Sequence, residues 1–303
     1  MDKLISVIMP CFNEKKEFFK VAVDSVLNQT YKNLELIIVL DNPKNEILKN
    51  IALDYVKKDN RIKFYVNDKN LGLVNNLNHA ITLAKGEIIG RLDADDIASK
   101  NRFEEQIKYI EEYDIVSSNF AFISEEGNII RHRVFPSEFI NVKRYLLNNA
   151  DCMYHTTWLI KKEVYYKLNF YRNIGPFEDY DFLLRALKQG FKLFNNKEEL
   201  NFVRVNPVGI SITNKVLQHL GSEYIREHAD EIERITKEDI DSYLNSEIGK
   251  KHAEAYKKFS CITSKFYSSK NTTEFYLRLL KYGWYIALFN YYGRKKIINK
   301  FKI

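Results

Sequence analysis

The chain has little cysteine and no long apolar run. Its three cysteines, Cys11, Cys152 and Cys261, are odd in number, widely spaced and contain no CxxC pair. They therefore encode neither a zinc site nor a dithiol redox centre, and a reducing compartment suits the chain. No stretch approaches the roughly 18 to 20 consecutive apolar residues that a bilayer-spanning helix needs. The most lipid-like piece, Trp284 to Phe289, is only a fragment of such a span. The apolar run after Met1-Asp2-Lys3 is stopped by Pro10. That is too short for a signal-peptide core and has no small-residue cleavage site, which points to a cytoplasmic protein with at most peripheral membrane contact. Walker A and GxGxxG phosphate loops are missing as well, and no internal repeat is visible.

What is present is a globular composition. The 303 residues are 45% apolar, enough for a sizeable core in one or two domains and too much for disorder. A formal charge of +7 implies acidic partners, whether nucleic acid, an anionic membrane face or phosphate-bearing substrates, without choosing among them.

Four short β-branched runs mark the first third: Leu4 to Met9, Leu34 to Leu40, Ile62 to Val66 and Glu87 to Leu92. Between them lie segments with helical period. Phe18, Phe19, Ala22, Val23, Val26 and Leu27 form one apolar stripe, and Leu73, Leu77, Ala80, Ile81 and Ala84 another. Strands alternating with crossover helices predict an α/β fold, a Rossmann-like and mostly parallel sheet with flanking helices. The pattern continues with a helix near Asn101 to Glu112, strands near Ile115 to Ile123 and Trp158 to Ile160, and a helix from Asp179 to Gln189. After Val205 only helical periodicity remains. Residues 1–213 are thus expected to form the α/β domain, and residues 214–303 a helical, basic and aromatic extension.

In parallel sheets, ligands sit outside the carboxyl ends of the strands. There the chain carries Pro10-Cys11-Phe12-Asn13-Glu14, Asp41-Asn42-Pro43, Asn67 to Gly72, and Asp93-Ala94-Asp95-Asp96. Adjacent carboxylates repel one another unless a cation neutralises them, and all-oxygen ligation suits Mg²⁺ or Mn²⁺ bound together with phosphate. By itself the triplet is equally an acidic turn capping the next helix. An EF-hand reading fails, since Ile97 and Ala98 stand where that loop needs an oxygen ligand and its glycine. A second acidic group, Glu178-Asp179-Tyr180-Asp181, opens the later helix. One of its carboxylates could serve as a general base, although acidic residues also simply favour a helix's first turn.

Taken together, these segments resemble the family 2 glycosyltransferases. The text that carries the resemblance runs from Ser6-Val7-Ile8-Met9-Pro10-Cys11-Phe12-Asn13-Glu14 through Asn70-Leu71-Gly72 and Gly86-Glu87-Ile88-Ile89-Gly90-Arg91-Leu92-Asp93-Ala94-Asp95-Asp96 to Glu178-Asp179-Tyr180-Asp181. It covers residues 4 to about 212 in the family's order. The resemblance implies the A-type glycosyltransferase fold and an inverting, metal-dependent transfer of a sugar from a UDP-sugar to a saccharide or lipid-linked saccharide hydroxyl, in the synthesis of a bacterial surface polysaccharide. By the same resemblance, Pro10, Phe12 and Asp41 line the uracil pocket, Asn70 belongs to the donor site, and Glu14 and Asp93 lie near the ribose. Asp95, with Asp93, holds Mn²⁺ or Mg²⁺ against the diphosphate. Asp179 is the general base and Glu178 helps hold the acceptor. Where the family commonly has a metal-binding His, the chain has Asn206, whose amide oxygen can still ligate a hard cation.

Cys152 to Trp158 falls where the family places an acceptor-facing segment. Trp158 could stack on a sugar and His155 bond a hydroxyl or phosphate; core packing accounts for both equally well. The tail from Lys265 interleaves Lys and Arg with aromatic residues, a mixture that suits the headgroup region of an anionic bilayer or a packed helix with a basic face. No nucleic-acid motif accompanies it. Two rivals remain. A sugar-phosphate nucleotidyltransferase would need a Gly-rich basic loop after the first strand, which Pro10 to Glu14 is not. A catalytically silent glycan- or nucleotide-binding protein of the same fold is disfavoured by Asp41, Asp93, Asp95 and Asp179 standing together.

Overall fold

Strands β1 (Ile5–Cys11) and β2 (Leu34–Leu40) are buried along their full length, as central parallel strands covered on both faces must be. In the computed structural model, which describes residues 3–148, 152–206 and 214–267, they belong to a nine-stranded sheet. Its other strands are β3 (Ile62–Val66), β4 (Ile88–Arg91), β5 (Ile97–Ala98), β6 (Ile115–Ile123), β7 (Ile129–Arg133), β8 (Leu159–Lys161) and β9 (Leu193–Arg204). The order is β3-β2-β1-β4-β8-β6-β9-β5, with β7 paired to β6. The four strands read from the sequence pair in parallel. Beyond them the sheet is mixed, since β8 runs antiparallel to both β4 and β6, while β9 returns parallel to β6.

The crossover helices bury the stripes that define them. Helix α1 (Lys16–Leu27) turns Phe19, Ala22, Val23 and Val26 inward, and α3 (Leu73–Leu83) does the same with Val74, Leu77, Ala80 and Ile81. Helix α2 (Glu46–Lys58) starts where the Asn45 side chain accepts from the Leu48 amide and ends on Lys57 and Lys58, so both termini suit its dipole. The helix expected near Asn101 to Glu112 is shorter, α4 (Arg102–Ile107), and continues as turns to Glu112. Helices α5 (Phe139–Asn148), α6 (Lys162–Lys167) and α7 (Glu178–Lys188) complete this part of the chain.

The chain splits into two compact units. Residues 1–146, 151–173 and 178–209 form the first, and residues 147–150, 174–177 and 210–303 the second. The second unit contains α8 (Lys215–Glu227), α9 (Lys237–Asn245) and α10 (Glu247–Tyr267). Leu220, Ile225, Ile232, Ile235 and Ile240 are among its buried apolar residues, and α9 opens on a reciprocal cap between Thr236 and Asp239. Among the described residues no helix is long and apolar enough to cross a membrane. The basic, aromatic tail expected to contact a bilayer lies almost wholly outside the described residues.

One polar knot fixes the amino-terminal end of the parallel strands. The buried Glu35 carboxylate accepts from the Ser6 hydroxyl at 2.6 Å and from the Lys85 amide at 2.7 Å, while the Ser6 oxygen accepts from the Gly86 amide at 2.8 Å. The turn before β4 is thereby pressed onto β1, and a methyl group at Gly86 would lie 2.4 Å from the Leu4 carbonyl oxygen. Backbone cannot swing aside as a side chain can. Gly86→Ala should therefore lower stability by about 1–3 kcal/mol, the usual cost of overpacking. An unchanged denaturation midpoint in that variant would mean that the turn does not hold the strand.

Candidate functional site

The strand register brings the polar segments to one edge of the sheet. The Asp41 amide donates to the Cys11 carbonyl, the Asn67 amide to that of Leu40, and the Leu92 amide to that of Ile8. The chains leaving β1, β2, β3 and β4 therefore emerge side by side.

Beyond β1 and β2 an asparagine network joins the two loops. Asn13 Oδ1 accepts from Asn42 Nδ2 at 2.6 Å and from Asn45 Nδ2 at 3.2 Å, and Asn45 Nδ2 also reaches the Phe12 carbonyl. Pro10 is buried in β1, whereas Phe12 leaves 40% of its surface exposed, so its ring face is open to a flat partner. Glu14 turns back to accept from the Phe12 amide at 2.7 Å. Burial raises the Glu14 carboxyl to about 7 against the pull of that hydrogen bond, with Asp95 and Asp93 adding to the rise.

Asp41 is buried and fastens the loop after β3. Its Oδ1 accepts from Asn67 Nδ2 at 2.7 Å and from the Leu71 amide at 2.9 Å, and its Oδ2 accepts from the Gly72 amide at 2.9 Å. Asn70 Oδ1 also accepts from the Gly72 amide, and Gly72 has a φ of +78°, where a side chain would be strained. A cleft of about 570 Å³ beside this loop is lined by Val66, Asn67, Asp68, Lys69, Leu71 and His79. Asp41 and Asn70 thus shape the loop directly; any contact they make with a ligand comes in addition.

The Asp93 to Asp96 turn divides its charges. Asp93 Oδ1 accepts from Arg91 Nε and Nη2, each at 2.9 Å, and its amide donates to Thr156 Oγ1 at 3.0 Å. Asp96 is buried and accepts from the Arg204 amide at 2.9 Å, and burial beside Asp95 and Asp93 pushes its carboxyl well above the usual carboxylate range. Arg204 Nε donates to the Asp95 carbonyl at 3.1 Å, which draws the end of β9, and exposed Asn206 two residues on, toward the same turn. Among the described residues Asp95 has no ion-paired cation on its carboxylate, and burial together with Asp93 pushes its carboxyl upward to about 6. Among the described residues no three His, Cys, Asp or Glu side chains converge as a metal cage. The under-neutralised Asp95, Asp93 and Glu14 group nonetheless fits a hard cation that arrives with a diphosphate and completes its shell from phosphate oxygens and water.

The second acidic group separates in the same way. Asp181 is fully buried between Arg172 and Arg185 and is ion-paired to both, so it is a structural clamp. Asp179 Oδ1 accepts from the Tyr180 amide at 2.7 Å. Its side chain keeps 28% of its surface exposed, against 9% for Glu178. Burial and the neighbouring Asp179 push Glu178 upward, and burial pushes Asp179 upward as well. Arg91, only 4% exposed, joins the two acidic groups. Burial disfavours its charge, yet the ion-paired Asp93 beside it keeps it ionised.

Two suggestions from the sequence are settled by packing. Trp158 is buried, donates from Nε1 to the Met153 carbonyl at 2.7 Å and stacks near His155 and Phe182, so it has no face for a sugar. His155 is also buried, its Nε2 lying 2.8 Å from the Tyr171 hydroxyl. Arg91, Thr156 and Arg204 were missed. The one available signal was a charged residue, Arg91, inside an otherwise apolar strand. Asp41→Ala should cost stability by at least about 1.5–3 kcal/mol, the value of a hydrogen bond to a charged group, because three donors lose their acceptor. A variant as stable as the parent by urea denaturation would remove Asp41 from the loop's support.

Comparison with known proteins agrees with this geometry. Residues 6–168 match the family described as Glycosyl transferase family 2. An uncharacterized glycosyltransferase of Methanocaldococcus jannaschii is 37% identical over 197 residues, which cover 63% of this chain and 68% of that protein. The O-antigen biosynthesis glycosyltransferase WbnJ of Escherichia coli is 35% identical over 190 residues, 61% of this chain and 72% of that protein. Among solved structures, S. aureus TarS 1-349 in complex with UDP superposes with a TM-score of 0.56 at 17% identity, covering 80% of this chain and 72% of TarS 1-349. The complex with UDP-GlcNAc gives 0.57 at 16% identity, covering 93% and 80%. The four leading strands, the acidic turn after β4 and the extent of the match make this chain a member of the family 2 glycosyltransferases.

Proposed function

We propose that the protein transfers a sugar, of the galactose, glucose or N-acetylhexosamine class, from a UDP-sugar to a saccharide hydroxyl with inversion, in the building of a surface polysaccharide such as an O-antigen, lipopolysaccharide or capsule. The observation that carries the reading is the presence of two acidic sets, Asp95 with Glu14 and the Arg91-paired Asp93 after the parallel strands, and Asp179 with Glu178 at the start of α7, with Arg91 ion-paired to the first and electrostatically linked to the second. The named relatives and the UDP complexes of TarS support the donor and the pathway class.

In this reading the donor base lies against Phe12 and Pro10, beside the loop fastened by Asp41 and Asn70. Asp95, with Asp93 and the amide of Asn206, would hold Mn²⁺ or Mg²⁺, which supplies Lewis-acid neutralisation of the diphosphate leaving group. Asp179, the more exposed of its pair, accepts the acceptor hydroxyl proton. The new C–O bond forms at the anomeric carbon as its bond to the diphosphate breaks on the opposite face, and UDP leaves. Glu178, buried and pushed toward its protonated form, donates a hydrogen bond that orients the acceptor. Arg91, kept ionised, prevents the two acidic sets from repelling each other.

A panel of UDP-sugars with Mn²⁺, assayed for donor hydrolysis and for transfer to free or lipid-linked saccharides, tests the activity. Thermal stabilisation by UDP plus Mn²⁺ with no hydrolysis and no transfer would instead favour a silent nucleotide-binding protein. Asp179→Asn keeps the acceptor of the Tyr180 amide and removes basicity, so kcat should fall roughly 10²- to 10⁴-fold, the usual contribution of a general base, with UDP affinity unchanged. Near-normal kcat in this variant, with collapse in Glu178→Gln, would exchange the two roles. Asp95→Asn should abolish the dependence of UDP affinity on Mn²⁺ in calorimetry; a wild-type metal response would move the cation elsewhere.

A further inference from the structure

His155 is the one imidazole buried against the acceptor-side carboxylates among the described residues, and nothing in the steps above uses it. It stands in the short 3-10 turn His155–Thr157, whose Thr156 also receives the Asp93 amide. Its Nδ1 lies 3.7 Å from Glu178 Oε1 and 4.0 Å from Asp179 Oδ2. Its Nε2 lies 2.8 Å from the Tyr171 hydroxyl. Tyr171 in turn is anchored at its backbone by Asn78 of α3, which both donates to its carbonyl at 2.9 Å and accepts from its amide at 3.1 Å.

These contacts favour one ring tautomer, the Tyr171 hydroxyl lying closer to His155 Nε2, at 2.8 Å, than to the Tyr165 hydroxyl, at 3.3 Å. Burial, together with the Arg91 guanidinium, holds His155 far below the usual imidazole range, so the ring is neutral and has a single N–H. Burial keeps Tyr171 protonated, so its hydroxyl has a proton to give. If Tyr171 donates to Nε2, the ring's own proton must sit on Nδ1 and points at two carboxyl groups. The opposite tautomer would turn a lone pair toward those oxygens, which is repulsive wherever Asp179 is ionised. A neutral histidine oriented by a hydrogen bond at its other nitrogen is a well-understood device for aiming an N–H.

We propose that His155, with its tautomer fixed by Tyr171, is a positioning residue whose Nδ1–H faces Glu178 and Asp179 across 3.7 and 4.0 Å, past direct hydrogen-bond length, and favours electrostatically the orientation of the Asp179 carboxylate that receives the acceptor proton. The inference rests on Asp179 being the general base. The His155–Tyr171 pair faces the acceptor-side carboxylates, so on this reading its effect falls on transfer and leaves nucleotide binding alone. It also explains a buried His–Tyr contact that a purely apolar core would not require.

Amide replacements separate aiming from packing. In His155→Asn the side-chain N–H stands near the place of Nδ1, whereas in His155→Gln it stands near Nε2, within reach of Tyr171 but unable to face the carboxylates. His155→Gln should lower kcat for transfer ten- to a hundredfold with UDP affinity and donor KM unchanged, and His155→Asn should recover most of that loss. Tyr171→Phe keeps the ring among Tyr165, Phe182 and His155 and should lower kcat several-fold, again without altering UDP affinity. On an Asp179→Asn background, His155→Gln should cost little more, because residues that act through one group are not additive. Equal losses in the Asn and Gln variants, full activity in Tyr171→Phe, or an undiminished effect of His155→Gln without Asp179 would each overturn the positioning role. Full activity in Asp179→Asn alone would instead overturn the reading on which it rests. Should the His155 variants fail to fold, as judged by circular dichroism, the kcat of Tyr171→Phe decides the matter.

Discussion

Arg91 is a buried cation that the surrounding charges cannot do without. It enters the core on a strand otherwise made of Ile88, Ile89 and Gly90 and spends two of its nitrogens on Asp93. Its charge also offsets Glu178 and Asp179. Removing one partner of a buried ion pair leaves an uncompensated charge and costs several kcal/mol, so strand β4, the acidic turn after it and the start of helix α7 are energetically one assembly.

The same cation gives the two acidic sets different chemistry. Asp93 is ion-paired, Asp96 is buried on the Arg204 amide, and Asp181 is clamped between two arginines. Once these are satisfied, the aspartates that remain in the two acidic runs, Asp95 and Asp179, have no side-chain arginine or lysine paired to them among the described residues. An enzyme that must neutralise a diphosphate on one face of a sugar and remove a proton on the other needs that separation, since a base beside the cation would lose its basicity.

Much of this was legible in the residues. Strands β1, β2 and β4 announce themselves as apolar, β-branched runs because both of their faces are buried, and the stripes of α1 and α3 follow from the same sheet. Strand β9 does not, because Leu193 to Arg204 is rich in Asn, Lys and Glu. Its polar residues pair with tertiary partners, as when Asn195 Nδ2 donates to Asn119 Oδ1 at 2.9 Å, and local propensity carries no trace of such a contact. Strand β7 is exposed along nearly its whole length and so lacks the alternation that marks a half-buried strand. At the site, the acidic runs stood out, yet which carboxylate was free and which was spent depended on Arg91, Arg172, Arg185 and Arg204, residues near or far in the chain that only the fold brings into contact. Trp158 looked like a sugar platform by residue type and is a core residue by packing.

The division of the carboxylates by Arg91 has one direct chemical consequence. If Asp95 serves the leaving group and Asp179 the incoming hydroxyl from opposite faces, the anomeric centre must invert in a single displacement. Proton NMR of the product formed in the first turnovers, before any spontaneous mutarotation or further transfer, reads this from the coupling constant of the anomeric proton. The account predicts a configuration opposite to that of the UDP-sugar consumed; retention of the donor's configuration would contradict it.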